Sequence, residues 1–251
     1  MKSIYDIALN SHDGQPGFLE QYKGKVTLIV NTTVGCGNAN QLGPLQRIHE
    51  KYQDQGFAVV AIPTNDYCGP GITYGEWVEG ITCGTDSLNY GQKEYGVTFN
   101  YSEMINSIPD PNIEFPGGEV KVYGEPHELY KELQSQMVSV NSKENALVSS
   151  GEVAPHAYIS PELNRQFSGE WMHGNFEKYL VDKDGFVIDH FHCTILNADP
   201  EVTILKQALE EGTTPPIRNK EITDEMVEEE FTVVCEDIEK AINGNKSLLN
   251  R

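Results

Sequence analysis

Apolar residues in this chain follow two kinds of pattern. In KVTLIV (25–30) and FAVVAI (57–62) they run on without a polar break and are rich in β-branched types. Short runs of that sort predict strands buried on both faces. Between them Leu42, Leu45, Ile48 and Tyr52 recur at three- and four-residue spacing, a helical stripe reaching about Gln55. Strand, helix and strand in close succession predict a βαβ unit with parallel strands and a right-handed crossover.

The pattern then loosens. A second helix is expected from Ser87 to Tyr95. IPDPNIEFPGGEV (108–120) is rich in Pro and Gly and reads as an irregular insertion. ELYKELQSQ (128–136) is helical in character, whereas residues 138–170 have no period and are expected to form a long surface loop. Order returns in NFEKYLVDKDGFVIDHF (175–191), where two alternating runs flank Asp-Lys-Asp-Gly, a hairpin signal. A helix from Pro200 to Glu211 follows, with Val202, Leu205 and Leu209 on one face and Pro200 in its first turn.

Residues 212–221 read as a linker, so the chain divides into a domain over 1–212 and a tail over 213–251. The tail carries Val227, Phe231, Val234, Ile238 and Ala241 at spacings of four and three, an amphipathic helix. Its other face holds Glu228, Glu229, Glu230, Glu236, Asp237 and Glu239. We expect a solvated face on a helix docked to its own domain; the sharper alternative is a helix for a partner or for oligomerisation.

Composition narrows the function classes. The 251 residues are 38% hydrophobic and 22% charged, ordinary for a globular protein, but the formal net charge is −20. That charge argues against binding nucleic acid or an anionic membrane surface, because both are polyanions. There is no run of 18 apolar residues to span a membrane. The opening MKSIYDIALNSHDG lacks the apolar stretch of a secretory signal, so a cytoplasmic location is expected. The five cysteines are odd in number and form no CxxC pair, which favours mostly reduced thiols.

One of those thiols stands apart. In NTTVGCGNANQ (31–41), Cys36 lies between two glycines, after a strand and before a helix. A helix N-terminus favours an anion and raises the thiolate fraction, and the thiolate is the nucleophilic form. Gly35 and Gly37 let backbone and substrate approach closely. A lone cysteine is equally a small buried hydrophobe, and by position alone both readings stand.

Longer stretches bear on that choice. SIYDIALNSHDGQPGFLEQYKGKVTLIVN, Cys36-Gly37 ahead of Gln41, and LGPLQRIHEKYQDQGFAVVAIPTND resemble the glutathione peroxidase family. So do YGVTF (95–99), EPHELYKELQ (125–134) and NFEKYLVDKDGFVI (175–188), in the family's order and over roughly residues 3–211. The resemblance implies an α/β, thioredoxin-like fold: a central mixed sheet flanked by helices, with two insertions and a C-terminal helical tail. It implies an oxidoreductase that reduces hydrogen peroxide or organic hydroperoxides, with Cys36 passing through a sulfenic acid. A role in the oxidative stress response follows from it.

The family surrounds this residue with a Gln, a Trp and an Asn. Asn175 matches the Asn, but Asp66 stands where the Gln belongs and Gly174 where the Trp belongs; Trp171 lies three residues earlier. An ionised Asp66 cannot donate a hydrogen bond and would raise the thiol pKa; protonated, it donates or serves as a general acid. Many family members without selenium resolve the sulfenic acid with a second cysteine. Cys83 lies in the corresponding region, although the usual position is occupied by Gly91, and Cys68 is a second candidate. Cys193 and Cys235 read as packing residues.

DHFHC (189–193) invites a metal reading through His190, His192 and Cys193. Strand alternation splits these three between two faces, so we expect a polar strand edge and no metal site. His127 reads as structural. No bound cofactor is expected; the electrons would come from an external thiol, thioredoxin or glutathione, with thioredoxin preferred because this acidic chain has no basic cluster. The insertions could build or block a homo-oligomer interface. Two rival functions stay open: a thioredoxin-fold binding or assembly module that has lost peroxide chemistry, and a thiol enzyme acting on another substrate.

Overall fold

The structure, a computed structural model, describes residues 1–34, 37–64, 80–107, 126–136, 175–191, 196 and 224–244. The insertions at 108–120 and 138–170, the helix expected over 200–211 and the linker lie outside these residues.

The first apolar run is strand β1 (Val26–Thr32), and the second is β2 (Phe57–Pro63). They pair in parallel from Val26↔Phe57 to Thr32↔Pro63. Helix α1 (Leu42–Tyr52) connects them, entered by a 3₁₀ turn (Gly37–Gln41) and followed by another (Gln53–Gln55). The helical stripe is therefore shorter than the periodicity suggests, with tighter turns at both ends. Two further strands form the hairpin, β4 (Lys178–Val181) and β5 (Val187–Phe191). Asp182 closes its turn, accepting the N–H groups of Asp184 and Phe186 at 2.9 Å. A two-residue strand, β3 (Asn100–Tyr101), which the sequence pattern does not reveal, completes the sheet in the order β3-β2-β1-β4-β5.

β4 runs antiparallel to β1, so the sheet is mixed. Every residue of β1 and β2 is buried, because the sheet has a core on each side. Val26, Leu28 and Val30 of β1 meet Leu42, Leu45, Ile48 and Tyr52 of α1 on one side. Ile29 of β1 meets the N-terminal segment (Ile4, Tyr5, Ile7, Leu9) on the other. That side also takes Leu129, Tyr130 and Leu133 from the helix over 128–136. The Tyr5 hydroxyl ties the segment down, bonding Lys25 O at 2.7 Å and Asp182 O at 3.0 Å. Two covered faces explain why the strands read as continuous apolar runs rather than as alternation. This is the α/β, thioredoxin-like arrangement that the resemblance implies.

Helix α2 (Gly84–Tyr95) starts three residues earlier than the apolar pattern predicts. Asp86 is the reason: its Oδ2 accepts from the Thr82 N–H at 2.9 Å and the Thr82 hydroxyl at 2.8 Å, which satisfies the entering turn. We number the helix over 128–136 α3 and the tail helix (Asp224–Ile242) α4.

α4 packs Val234, Cys235, Ile238 and Ala241 into the same core as α1. Its acidic side is not wholly solvated, contrary to the sequence expectation. Asp237 is buried against Asp189 of β5 and accepts from Lys240 Nζ at 3.1 Å. Glu230 accepts the N–H of Leu196, and Glu228 forms a two-pronged pair with Arg47, whose guanidinium also lies over Phe231. Exposed pairs of this kind contribute at most about 1 kcal/mol each, so apolar burial holds the helix.

Two outcomes follow for the docked tail. Ile238→Ala should lower unfolding stability by roughly 2–5 kcal/mol, read as a reduced urea midpoint; an unchanged midpoint would show that α4 does not contribute to the core. Burial, and then the neighbouring Asp237 carboxylate, push the Asp189 pKa from 3.8 to about 7. The folded state therefore holds a proton that the unfolded state releases. Its stabilisation is full below the unfolded value and is lost as pH rises through about 7. Asp189→Asn, which mimics the protonated form, should flatten that loss in urea titrations between these limits.

Candidate active site

The candidate site forms where β1 ends. Past Thr32 the chain turns into the loop of Cys36, and the turn at 175–176 enters β4 beside it. Cys36 itself lies outside the described residues, as do Asp66, Cys68, Trp171, Gly174, His192 and Cys193. Residues up to Val34 and from Gly37 onward are described, and Thr33 and Asn38 both touch Asn175. The Thr33 hydroxyl donates to Asn175 Oδ1 at 2.7 Å. The Asn38 side chain donates through Nδ2 to the Asn175 carbonyl at 3.2 Å. All three residues are buried. Asn175 thus sits at the base of the loop that carries Cys36.

The turn that presents Asn175 is unusual. Phe176 is a non-glycine residue in the left-handed region, with φ +70°. Its N–H donates to Asn31 O at 2.8 Å, extending the pairing of β1 and β4. Its carbonyl accepts from Lys178 Nζ at 2.7 Å. Lys178 is fully buried, so its ammonium is held by such bonds rather than by water. Neither Thr33 nor Lys178 stands out in the sequence: one is a threonine at the end of a β-branched run, the other a lysine in an alternating strand.

Just before β4, Glu177 is buried and its Oε2 lies 2.5 Å from His190 Nε2. His190 also lies against the Tyr179 ring, with centroids 5.3 Å apart. Its ring nitrogen is thus engaged by a carboxylate. Among the described residues no group of three His, Cys, Asp or Glu side chains is placed to hold a metal ion. His127 caps α3, accepting the Leu129 N–H at Nδ1, and burial lowers its pKa.

Cys83 is exposed, immediately before α2. Its thiol donates to Asp86 Oδ2 at 3.3 Å. The bonds from Thr82 and Cys83 hold the Asp86 carboxyl below its usual range. The segment leading to Cys83 and the one leading to Cys36 meet: Ile81 and Val34 share a small apolar cluster, flanked by Tyr90 and Met104. Cys235, by contrast, is buried in the core under α4.

Gly91 explains why a thiol is absent there. A Cβ at this position would lie 2.7 Å from the Tyr101 hydroxyl oxygen and 2.8 Å from Val97 Cγ2. Both neighbours are buried. α2 approaches β3 too closely for a side chain at this point.

The mixed sheet and its helices define a thioredoxin-like protein with a candidate site at the end of its central strand. Residues 4–107 match the family model for glutathione peroxidase. The glutathione peroxidase homolog BsaA of Staphylococcus epidermidis is 36% identical over 191 residues, 76% of this chain and 89% of the relative. Its counterpart from Staphylococcus aureus is 30% identical with the same coverage. A glutathione peroxidase-like peroxiredoxin of Schizosaccharomyces pombe is 28% identical, again over 76% of this chain and 89% of the relative. The chain belongs to the glutathione peroxidase family.

Gly91→Cys should not supply a working second thiol. Overpacking against Val97 and Tyr101 should lower stability by roughly 1–3 kcal/mol, read in thermal or urea unfolding. A variant as stable as wild type would mean that α2 can shift away from β3.

Proposed function

We propose that this chain is a thiol peroxidase that reduces hydrogen peroxide or organic hydroperoxides through Cys36. The observation that carries this is the bonding of both flanks of the Cys36 loop, Thr33 and Asn38, to Asn175. A nucleophilic thiolate needs hydrogen-bond donors close by, and Asn175 is an amide held against this loop.

The Cys36 thiolate attacks the distal peroxide oxygen and the O–O bond breaks. The leaving oxygen departs with a proton as water or alcohol, and Cys36 becomes a sulfenic acid. Asp66, in its protonated form, is the proposed proton donor to that oxygen. The Cys83 thiol then attacks the sulfenic sulfur, releasing water and forming a disulfide. The shared cluster of Val34 and Ile81 supports Cys83 over Cys68 as the resolving thiol. An external thiol returns both cysteines to the reduced state, and no bound cofactor is required. Thioredoxin is the favoured donor, because a chain of net charge −20 repels the anionic glutathione molecule. We place this reaction in the cytoplasm, as part of the response to oxidative stress.

The test is one equivalent of hydrogen peroxide added to the reduced full chain, followed by intact mass and peptide mapping. Wild type should lose two hydrogens within seconds and yield a Cys36–Cys83 peptide. Cys83→Ser should retain Cys36 with one added oxygen, and Cys36→Ser should not react. A Cys36 thiol still free after minutes would sink the peroxidase reading.

A further inference from the structure

α4 docks on a body of its own sign of charge. Its 19 residues hold eight carboxyl groups against Lys240, a formal −7, which leaves −13 of the chain's −20 on the rest. Glu225, Glu228, Glu229, Glu236 and Glu239 are all exposed on it. Glu225 lies three and four residues before Glu228 and Glu229, and Glu236 three before Glu239, so these carboxylates are neighbours on the helix surface and repel. Two kinds of contact hold the helix down against that repulsion. Val234, Cys235, Ile238 and Ala241 are buried in the core shared with α1. Arg47 pairs with Glu228 at 2.6 and 3.1 Å, Lys51 lies 3.4 Å from Glu239, and Lys183 Nζ donates to the Ile242 carbonyl at 2.8 Å. These forces respond differently to salt. Contacts as short as these lie well inside the Debye length of about 8 Å at 0.15 M and lose little there. Repulsion between α4 and the rest of the chain acts over longer distances; it is largely screened at about 0.15 M and felt where the Debye length reaches about 30 Å, near 0.01 M. Apolar burial carries no charge for salt to screen. We propose that α4 is an ionic-strength-dependent clasp, docked over α1 at physiological salt and released in dilute salt while the sheet stays folded. The proposal is independent of the chemistry at Cys36.

Cys235 serves as the reporter: it is buried on the docked side of α4, so it reacts when α4 lifts. The full chain, kept reduced at neutral pH, is treated with iodoacetamide, an uncharged reagent, and modification is followed on the Cys235 peptide. Each rate is divided by that of the urea-unfolded chain at the same salt. Lowering NaCl from about 0.15 M to about 0.01 M should speed the reaction about tenfold. Over the same range the backbone amides of β1 should keep their hydrogen-exchange rates, because only α4 opens. Alkylation that is unchanged or slower in dilute salt overturns the proposal. So does acceleration of β1 exchange that matches the alkylation, because the whole fold would then be opening.

A variant ties the response to the charge of α4. Glu225→Gln combined with Glu229→Gln removes two exposed carboxylates and neither of the pairs with Arg47 and Lys51. It should cut the tenfold salt response to about threefold or less. A folded variant as salt-sensitive as wild type overturns the proposal, and the wild-type measurement decides alone if the variant fails to fold.

Discussion

β1 has a paired strand on each edge and a core on each side, and all seven of its residues are buried. Nothing at its C-terminal end can therefore be solvated until the chain leaves the sheet. It leaves between two strands of opposite direction: β2, which ends beside it at Pro63, and β4, which begins beside it at Lys178. Three backbone ends converge there, and their polar groups must pair with one another. Thr33 meets both the Thr64 carbonyl and Asn175, while Thr64 N donates to Thr32 O. The polar cluster at the C-terminal end of β1 is what closing this sheet end requires.

That origin explains what could be read from the sequence and what could not. β1, β2, the hairpin and α3 follow from short-range pattern: β-branched runs, Asp-Lys-Asp-Gly, and a stripe in 128–136. Asn175 was picked out by its motif, but its bonds to Thr33 and Asn38 were not. Thr33 was not picked out, because its partner Asn175 lies 142 residues away. Gly91 looked like a missing cysteine, yet it reflects the close approach of Tyr101 and Val97. The start of α2 depended on Asp86, a polar residue that an apolar period does not count. The acidic side of α4 looked uniform in the sequence. It divides in the fold, because Asp189, Arg47 and Leu196 come from distant segments.

The tail helix meets α1 along its second half, from Arg47 to Tyr52. The helix is entered through the 3₁₀ turn that follows Cys36, and it ends at Tyr52, whose hydroxyl donates to Glu239 of α4 at 2.6 Å. α1 is only eleven residues long, so its two ends cannot reorient independently. α4 buries Ile238 and Ala241 against the core that holds Tyr52 and fixes the far end of α1. The partial positive charge of the helix acts at its near end, on the 3₁₀ turn over 37–41, within about one turn. The acidic residues of α4 lie along the second half of α1, where Glu228 pairs with Arg47 and Glu239 with Lys51.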